Sequence, residues 1–331
     1  VLETVLSEAI SISDDVGATQ EEVDEATSQL ESALSNLVRI TDEFDTLRLR
    51  YYEYLTGGKD FDPSDKKYAD IIADIDTTAE VNWNSMNENF VWDDLEANST
   101  KVPGDSLTSD ANKKAANQFR YMLDRLKDMA LAYSTYGSKY YQDQQLKDDI
   151  IKGVDWVYTN RYNENTSYYG NWYSWQIANP ETLSHIMILL YDDLTPRQIE
   201  NYSAAIDYHL NHGHFDGLSA SGLTGANLVN MAQNRIWNGI VAKRSDWIQE
   251  ASDSLGNVLS YTALGDYNSN DADGFYTDGS FIQHAAYPYA GGYGAGFIAE
   301  ISNVLWMLSG STWEANYDDK DNIYEFIFKT Y

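Results

Sequence analysis

Residues 273–294 combine side chains that can exchange protons with a backbone that can come close to a ligand. The stretch carries Asp273, Asp278, His284 and Tyr293 among further tyrosines and phenylalanines, with five glycines between them. Glycine permits positive φ and a close backbone approach, whereas flexible spacers lack large rings. The stretch is therefore typical of a loop that forms a binding or catalytic site. A structural loop held by aromatic packing is the alternative that composition leaves open.

A second unusual stretch, residues 171–180, places three aromatic rings within four residues, at Trp172, Tyr173 and Trp175. Large rigid rings with a polar edge suit stacking against sugars. A tryptophan-rich helix junction buried in the core explains the same pattern equally well, because tryptophan buries a large apolar surface. The residues alone do not choose between these two interpretations.

Helical periodicity accounts for most of the chain and has to position these stretches. Residues 1–39 predict two helices joined by a turn, the second opened by a capping box between Thr19 and Glu22. No sustained alternation of strand type appears. We therefore predict a helical-hairpin module at 1–39 and an all-α domain of helical hairpins at 40–331. The first long helical patterns of that domain stand at about 64–95, 109–135 and 144–160.

The formal net charge is −30, from 52 acidic residues against 22 lysines and arginines. This charge disfavours attraction to nucleic acid or to an anionic membrane surface, so neither is predicted as a partner. No apolar run approaches the roughly 20 residues of a membrane span. An anionic polymer would also be repelled at long range, so binding one requires a local basic lining. The sequence has no cysteine, which excludes disulfides and thiol catalysis.

Three histidines in six residues, His209, His212 and His214, invite a metal-site interpretation. No carboxylate stands at a diagnostic spacing from them, so solvated loop histidines are the better prediction. Residues 266–274 resemble a calcium loop superficially, but the position that needs an acidic side chain is Ser280. We predict neither a metal nor a cofactor.

The motifs resemble those of polysaccharide lyase family 8, which contains the hyaluronate, chondroitin AC and xanthan lyases. The run DGSFIQH, Asp278 to His284, is similar to the one that supplies the family's catalytic histidine. The run AGGYG, Ala290 to Gly294, is similar to the turn that supplies its proton-transfer tyrosine. The resemblance thus assigns these two roles to His284 and Tyr293.

The same resemblance covers NWYSWQIANP at residues 171–180, which is similar to the family's aromatic-patch motif. It implies that Trp172 and Tyr173 form the patch that positions the polymer. Asn171 would be a polar contact, and Trp175 a packing residue of this substrate-binding stretch.

A third match is LTGANLV at residues 223–229, whose asparagine binds the uronic carboxylate in the family. The resemblance gives that role to Asn227, which on the residues alone is explained as an N-cap. The family's reaction is β-elimination: a proton leaves C5 of a uronic acid, the C4–O bond breaks, and a C4=C5 double bond forms. Tyr293 would be the base and then the proton donor, with His284 as a second carboxylate partner or auxiliary base. A phenol, with an ordinary pKa of about 10, needs such assistance at neutral pH.

The resemblance covers about residues 41–331 and implies an incomplete α/α toroid that binds an acidic polysaccharide. Residues 1–39 resemble part of the FIVAR-type helical modules of secreted glycan enzymes. We expect the chain to be a piece of a secreted, extracellular protein whose C-terminal β-sandwich domains and an activating arginine lie downstream. Hyaluronan, chondroitin and xanthan all remain open as the substrate.

The alternative function is a non-catalytic glycan-binding or spacer fragment. Such a fragment needs aromatic rings but no proton-transfer tyrosine, so the joint presence of Asn227, His284 and Tyr293 argues against it. A hydrolase with paired carboxylates is less well supported, because no acidic pair stands in a cleft motif and carboxylate separation cannot be read from sequence.

Overall fold

A computed structural model describes residues 2–15, 17–35, 41–262 and 272–331 of the chain. Two compact units are present, Val1–Asp42 and Glu43–Tyr331. Within the described residues, no helix is both long enough and apolar enough to cross a membrane.

The first unit contains helices α1, Leu2–Ser13, and α2, Gln20–Ser35, which pack against each other. The predicted capping box is confirmed: the Thr19 N–H donates to Glu22 Oε2 at 2.8 Å, and the Glu22 N–H donates to Thr19 Oγ1 at 3.3 Å. The predicted end of the second helix falls at residues 36–40, outside the described residues. Its assignment as a FIVAR-type module stays a prediction.

The second unit is built mainly of helices, and the prediction of an all-α domain is confirmed. Two short π-helical segments, Ser174–Ala178 and Ala290–Gly294, directly precede α8 and α12. The helices are α3 Glu43–Thr56, α4 Lys66–Asn84, α5 Asp93–Glu96, α6 Asp110–Ser134, α7 Gln144–Asn160, α8 Asn179–Leu189, α9 Pro196–Asn211, α10 Gly225–Val241, α11 Ser245–Leu259, α12 Ala295–Leu308 and α13 Asn322–Thr330.

Helix α10 is the centre of the unit, packing against α8, α9, α11 and α12. Every residue in its stretch 231–241 is buried. A helix enclosed on all sides must present apolar or internally bonded side chains all round, and Ile236 and Trp237 are examples. Each large apolar side chain buried in this way contributes about 1.5–3 kcal/mol. The start of α10 is thereby fixed relative to its neighbours.

The helical pattern predicted at about 64–95 is interrupted between residues 84 and 93. Helix α4 ends at Asn84, and the short α5 follows after a turn. The Trp92 side chain is buried, and its indole N–H donates to the Asn82 carbonyl at 2.9 Å. Phe90 has a φ of +59°, which is outside the helical range. The chain therefore turns back so that Trp92 reaches the core.

A small antiparallel sheet, absent from the sequence prediction, lies within residues 273–294. Its strands pair in the order β1 Gly274–Phe275, β2 Phe281–Gln283 and β3 Tyr287–Pro288. Phe275 pairs with Phe281 in register, and its ring stacks on Phe326 of α13 with centroids 4.2 Å apart. The sheet is thus anchored to the helical core by its phenylalanines.

Candidate functional site

The sheet holds His284 in a specific backbone conformation. His284 and Ala285 stand in the turn between β2 and β3, with φ of +56° and +65°. Positive φ is uncommon for residues other than glycine and requires support from outside. Part of that support is a hydrogen bond of 2.7 Å from the Ala285 N–H to Asp273 Oδ1.

Asp273 is the hub of this support. Its Oδ2 accepts hydrogen bonds from Thr224 Oγ1 at 3.2 Å and from Gln283 Nε2 at 2.5 Å. Burial raises the pKa of the Asp273 carboxyl, while the hydrogen bonds from Ala285 and Thr224 oppose that shift. The Asp273 carboxyl therefore links Thr224, the residue before α10, to Gln283 and Ala285, the two neighbours of His284.

Gln283 makes a second link to α10 through its other amide atom. Its Oε1 accepts from the Ala226 N–H at 3.1 Å. Gly225, with a φ of +53°, leaves room for this contact, because a Cβ there would lie 2.6 Å from Gln283 Oε1. The bond joins the residue before Asn227 to the residue before His284, so these two predicted site residues are brought together.

Asn227 is not the N-cap of α10. The helix begins at Gly225 with Thr224 as the N-cap, which places Asn227 inside the first turn. Its side chain is half-buried. Helix capping therefore does not explain the presence of Asn227. Its side-chain amide can donate a hydrogen bond to a ligand, and it has no titratable group.

Tyr293 lies next to His284. Their ring centroids are 4.9 Å apart with an interplanar angle of 85°, and the Tyr289 ring stands 5.0 Å from Tyr293 at 78°. Tyr293 belongs to the π-helical segment Ala290–Gly294, and π-helical turns are frequent at functional sites. Imidazole and phenol are thus in edge-to-face contact, so two groups that can exchange protons lie side by side.

The aromatic patch is a layered structure. Trp172 stacks on His214 with centroids 5.5 Å apart and meets Phe215 edge-on at 5.1 Å. Tyr173 is 38% exposed, and Asn171 is exposed beside it, its Oδ1 accepting from the Tyr173 N–H at 3.2 Å. The patch therefore offers a ring and a polar side chain to solvent.

Trp175 lies in the core and not in the accessible patch, in agreement with its predicted role as a packing residue of this substrate-binding stretch. Its side chain is 0% exposed, and its indole N–H donates to the Tyr169 carbonyl at 2.7 Å. It packs against Phe119 at 4.9 Å. Trp175 is thus a packing residue that supports the stretch from within the core.

Gln176, the next residue, fixes the turn that carries His214. Its Oε1 accepts from the backbone N–H groups of His214 and Phe215 at 2.8 and 3.0 Å, and its Nε2 donates to the Phe215 carbonyl at 2.8 Å. The Gln176 side chain is fully buried, so its hydrogen bonds satisfy backbone groups of the turn in place of water. Through them the π-helical segment positions the ring on which Trp172 stacks.

The histidine cluster has a different environment from the one predicted. His209 is 0% exposed and stacks on Tyr162 with centroids 4.3 Å apart, so it is a core residue and not a solvated loop residue. Burial lowers the pKa of its imidazole to about 3. His212 and His214 are exposed, as predicted. Among the described residues, no three histidines or carboxylates form a group able to hold a metal ion.

Groups from other elements, Tyr293 among them, act electrostatically on the phenol of Tyr173 in the patch. Burial, followed by the charge of Glu181, raises the pKa of the Tyr173 phenol, and Glu300 and Tyr293 act on it in the same direction. Arg120 lies above the Tyr173 ring, 5.8 Å from its centroid, and its Nε is 3.7 Å from Asp124 Oδ2, so its positive charge is partly compensated.

Sequence reasoning missed Glu181, Glu300 and Arg120. Two signals were available: Glu181 directly follows the aromatic stretch, and Glu300 follows Tyr293 by seven residues, about two helical turns.

Comparisons with known proteins agree with this architecture. The model of the polysaccharide lyase family 8 N-terminal alpha-helical domain matches residues 51–331. A xanthan lyase from Bacillus sp. (strain GL1) is 34% identical over 306 residues, covering 89% of this chain and 29% of that protein. A hyaluronate lyase from Thermasporomyces composti is 30% identical over 275 residues, covering 82% and 32%.

The fold is also similar to that of a solved structure. Chondroitin AC lyase from Streptomyces coelicolor A3, in complex with chondroitin sulphate, matches with a TM-score of 0.74 and 27% identity, covering 88% of this chain and 36% of that one. The prediction of an α/α toroid is confirmed. The chain spans about a third of the length of the curated relatives it matches.

Proposed function

This chain belongs to polysaccharide lyase family 8, and on that premise we propose that its cleft cleaves a uronic-acid-containing polysaccharide by β-elimination. The observation that carries the proposal is the contact between the His284 and Tyr293 rings, 4.9 Å apart. The hydrogen bond between Gln283 and Ala226 brings the same pair to Asn227.

Asn227 would bind the uronate carboxylate. When the C5 proton leaves, negative charge spreads onto that carboxylate, and a neutral amide can stabilise the charge by donating a hydrogen bond. Its half-buried position inside the first turn of α10 favours this role, because partial burial strengthens the interaction.

Tyr293 would take the C5 proton and return a proton to the leaving C4 oxygen. The electrons of the C5–H bond form the C4=C5 double bond as the C4–O bond breaks, so the sugar is neither oxidised nor hydrolysed. His284, in contact with the Tyr293 ring, would bind the carboxylate from the second side or assist the phenol as an auxiliary base.

Trp172 and Tyr173 would hold the neighbouring sugars, and Arg120 beside Tyr173 would offset part of the repulsion between an acidic protein and an acidic polymer. Xanthan, hyaluronan and chondroitin are the candidate substrates, because the similar proteins are named xanthan lyase, hyaluronate lyase and chondroitin AC lyase.

The complete protein would contain more than this domain. We propose that C-terminal β-sandwich domains close the other side of the cleft and that a downstream arginine helps to activate Tyr293. We also propose that the protein is secreted, because such polymers are too large to enter a cell. Residues 1–39 would be a FIVAR-like spacer next to the catalytic domain at 40–331.

The experiment follows the ultraviolet absorbance of the unsaturated product while the complete protein, and this chain beside it, receive hyaluronan, chondroitin and xanthan separately. We expect absorbance to rise on at least one polymer and Tyr293→Phe to abolish the rise. Tyr287→Phe, at a largely exposed tyrosine of strand β3, is the matched control and should keep the activity. Binding of a polymer without any absorbance change would contradict the proposal and indicate a glycan-binding module.

A further inference from the structure

A cavity of about 480 Å³ opens beside the C-terminal ends of helices α3, α6 and α8. Four tyrosines from these helix ends and the segments that follow them are part of its lining: Tyr52, Tyr133, Tyr141 and Tyr191. Cavities that bind small ligands measure roughly 300–1,000 Å³, and phenol rings offer a rigid apolar face with a polar edge. The size and the lining therefore suit a ligand that consists of one or two sugar rings.

The cavity lies at the opposite end of α6 and α8 from the aromatic patch. Arg120, which lies above the Tyr173 ring, precedes Tyr133 by 13 positions on α6. Because an α-helix rises about 1.5 Å per residue, these two positions are about 20 Å apart along the axis. Tyr173 likewise precedes α8, whereas Tyr191 follows it. None of the predicted site residues, all of which the structure describes, lines the cavity.

Contacts within the protein hold the rings of the cavity in place. Tyr52 donates from its hydroxyl to a backbone carbonyl of α6 at 2.8 Å, and the Tyr133 hydroxyl donates to Asp193 Oδ2 at 2.9 Å. The Arg48 guanidinium lies over the Tyr191 ring, with its Cζ 4.0 Å from the centroid. Since these side chains are already ordered, binding a ligand would cost little side-chain entropy.

The charges that line the cavity are mixed. They are two cations and three carboxylates, namely Arg48, Lys59, Glu53, Asp192 and Asp193. Two of the carboxylates have cationic neighbours: Asp192 Oδ1 is 4.0 Å from Arg48 Nη2, and Asp193 Oδ1 is 3.8 Å from Lys147 Nζ. A ligand with a net charge of either sign would meet repulsion as well as attraction. An uncharged ligand that both donates and accepts hydrogen bonds is favoured, and sugar hydroxyls do both.

The lining also contains a buried donor that the protein does not use. Arg48 is 2% exposed, and its Nε has no hydrogen-bond partner among the described residues. Buried polar atoms in folded proteins nearly always have a partner, so an unpartnered donor at a cavity favours a bound acceptor there. Glu53, exposed on α3, presents a carboxylate to the same cavity. Donor and acceptor are thus both available to a hydroxyl-bearing ligand.

We propose that this cavity is a second saccharide-binding site, which takes one or two uncharged, hydroxyl-bearing sugar units and performs no chemistry. The tyrosine rings would pack against the sugar, while Glu53 and the two cations bind its hydroxyls. This inference goes beyond the proposed function, because sugar binding here does not require elimination in the cleft. Where one polymer occupies both places, the second contact raises its effective concentration at the cleft.

The test measures by calorimetry the binding of cellotetraose and maltotetraose, two uncharged glucans with different linkages, and of a hyaluronan tetrasaccharide, which carries carboxylates. Tyr191→Ala removes one wall of the cavity, and Glu53→Gln keeps the side-chain shape but removes the charge of an acceptor. The matched controls are Tyr121→Ala, at an exposed tyrosine of α6, and Glu200→Gln, at an exposed glutamate of α9. All proteins carry Tyr293→Phe, so that no turnover consumes the ligand.

We expect at least one of the two glucans to bind with a Kd of about 1 mM or below. Tyr191→Ala should raise that Kd about 5- to 10-fold and Glu53→Gln about threefold. The two controls should leave it unchanged, as should Trp172→Ala, which removes a ring of the aromatic patch.

The proposal would be overturned if neither glucan bound, or if Trp172→Ala abolished binding while the cavity variants did not. It would also be overturned if the hyaluronan tetrasaccharide bound more tightly than both glucans and Tyr191→Ala weakened that binding. Chemical denaturation checks that Tyr191→Ala is folded, and Glu53→Gln, at an exposed position, decides the matter if it is not. None of these outcomes bears on elimination, which the absorbance assay tests separately.

Discussion

Asp273 and Gln283 are joined by a hydrogen bond of 2.5 Å between Gln283 Nε2 and Asp273 Oδ2, at the same end of the β1–β2 pair, next to the paired residues Gly274 and Ile282. The same glutamine accepts from Ala226 at the start of α10. One amide group therefore spans the two parts of the chain that supply His284 and Asn227. Residues outside the predicted catalytic set thus control its geometry.

Gln283→Ala should impair elimination without abolishing it. The substitution removes a donor to Asp273 and the acceptor of the Ala226 N–H, each worth roughly 0.5–1.5 kcal/mol. If part of that loss appears only in the transition state, kcat should fall about 10- to 100-fold while KM changes less than about threefold.

Steady-state kinetics of the complete protein check this prediction. Gln249→Ala is the control, since Gln249 also donates through Nε2 to an aspartate, Asp253, but on an exposed helix face. Equal kinetics for the two variants would show that the link through Gln283 does not position the site.

Gly225→Ala should destabilise the domain and reduce activity together. Gly225 has a φ of +53°, and its new Cβ would lie 2.6 Å from Gln283 Oε1. The left-handed conformation alone costs about 1–2 kcal/mol for alanine, and displacement of the glutamine adds to it.

Gly310→Ala separates these two contributions. Gly310 has a φ of +74°, and a Cβ there would meet nothing within 4 Å. Chemical denaturation should show a smaller loss of unfolding free energy for Gly310→Ala, and only Gly225→Ala should lower the elimination rate. If Gly225→Ala eliminated as fast as Gly310→Ala, the close contact between Gly225 and Gln283 would not be needed for activity.

The sequence could predict the helices and the capping box because these depend on residues a few positions apart, as between Thr19 and Glu22. Strands of two or three residues carry no measurable alternation, so the sheet that orients His284 could not be predicted. The electrostatic effect of Glu300 on Glu181, across more than a hundred residues of sequence, depends on tertiary packing alone. His209 was misplaced for a related reason: the last turn of α9 faces the core, which local composition does not reveal.

Trp172→Ala should weaken polymer binding more than catalysis. His214 and Phe215 hold the ring in place, and we expect a sugar of the polymer to stack on it with about 0.5–1.5 kcal/mol beyond the area buried. KM should therefore rise roughly 3- to 10-fold with little change in kcat. The control is Trp156→Ala on α7, whose ring contacts Arg161 directly after that helix. A fall in kcat with unchanged KM would assign Trp172 to the chemical step instead.

Glu181→Gln should stabilise the domain at alkaline pH and leave its acid stability unchanged. The pKa of this carboxyl is about 7 in the folded protein against an ordinary value of 4.5, so the folded state binds the proton more tightly than the unfolded state. Its ionisation therefore leaves folding unaffected below about pH 4.5, opposes folding increasingly up to about pH 7, and has its full effect above. A shift of this size corresponds to roughly 3 kcal/mol at most.

The measurement compares the unfolding free energies of Glu181→Gln and the parent sequence at about pH 5 and about pH 8. The advantage of the variant should grow by up to roughly 3 kcal/mol between them, and Glu300→Gln should show part of the same gain, because the charge of Glu300 is the second cause of the shift. Glu200→Gln, with an exposed side chain paired to Arg197, should show no such trend. A pH-independent difference for Glu181→Gln would mean that this carboxyl titrates normally in the folded protein, and the negative charge of the cleft would then persist well below pH 7.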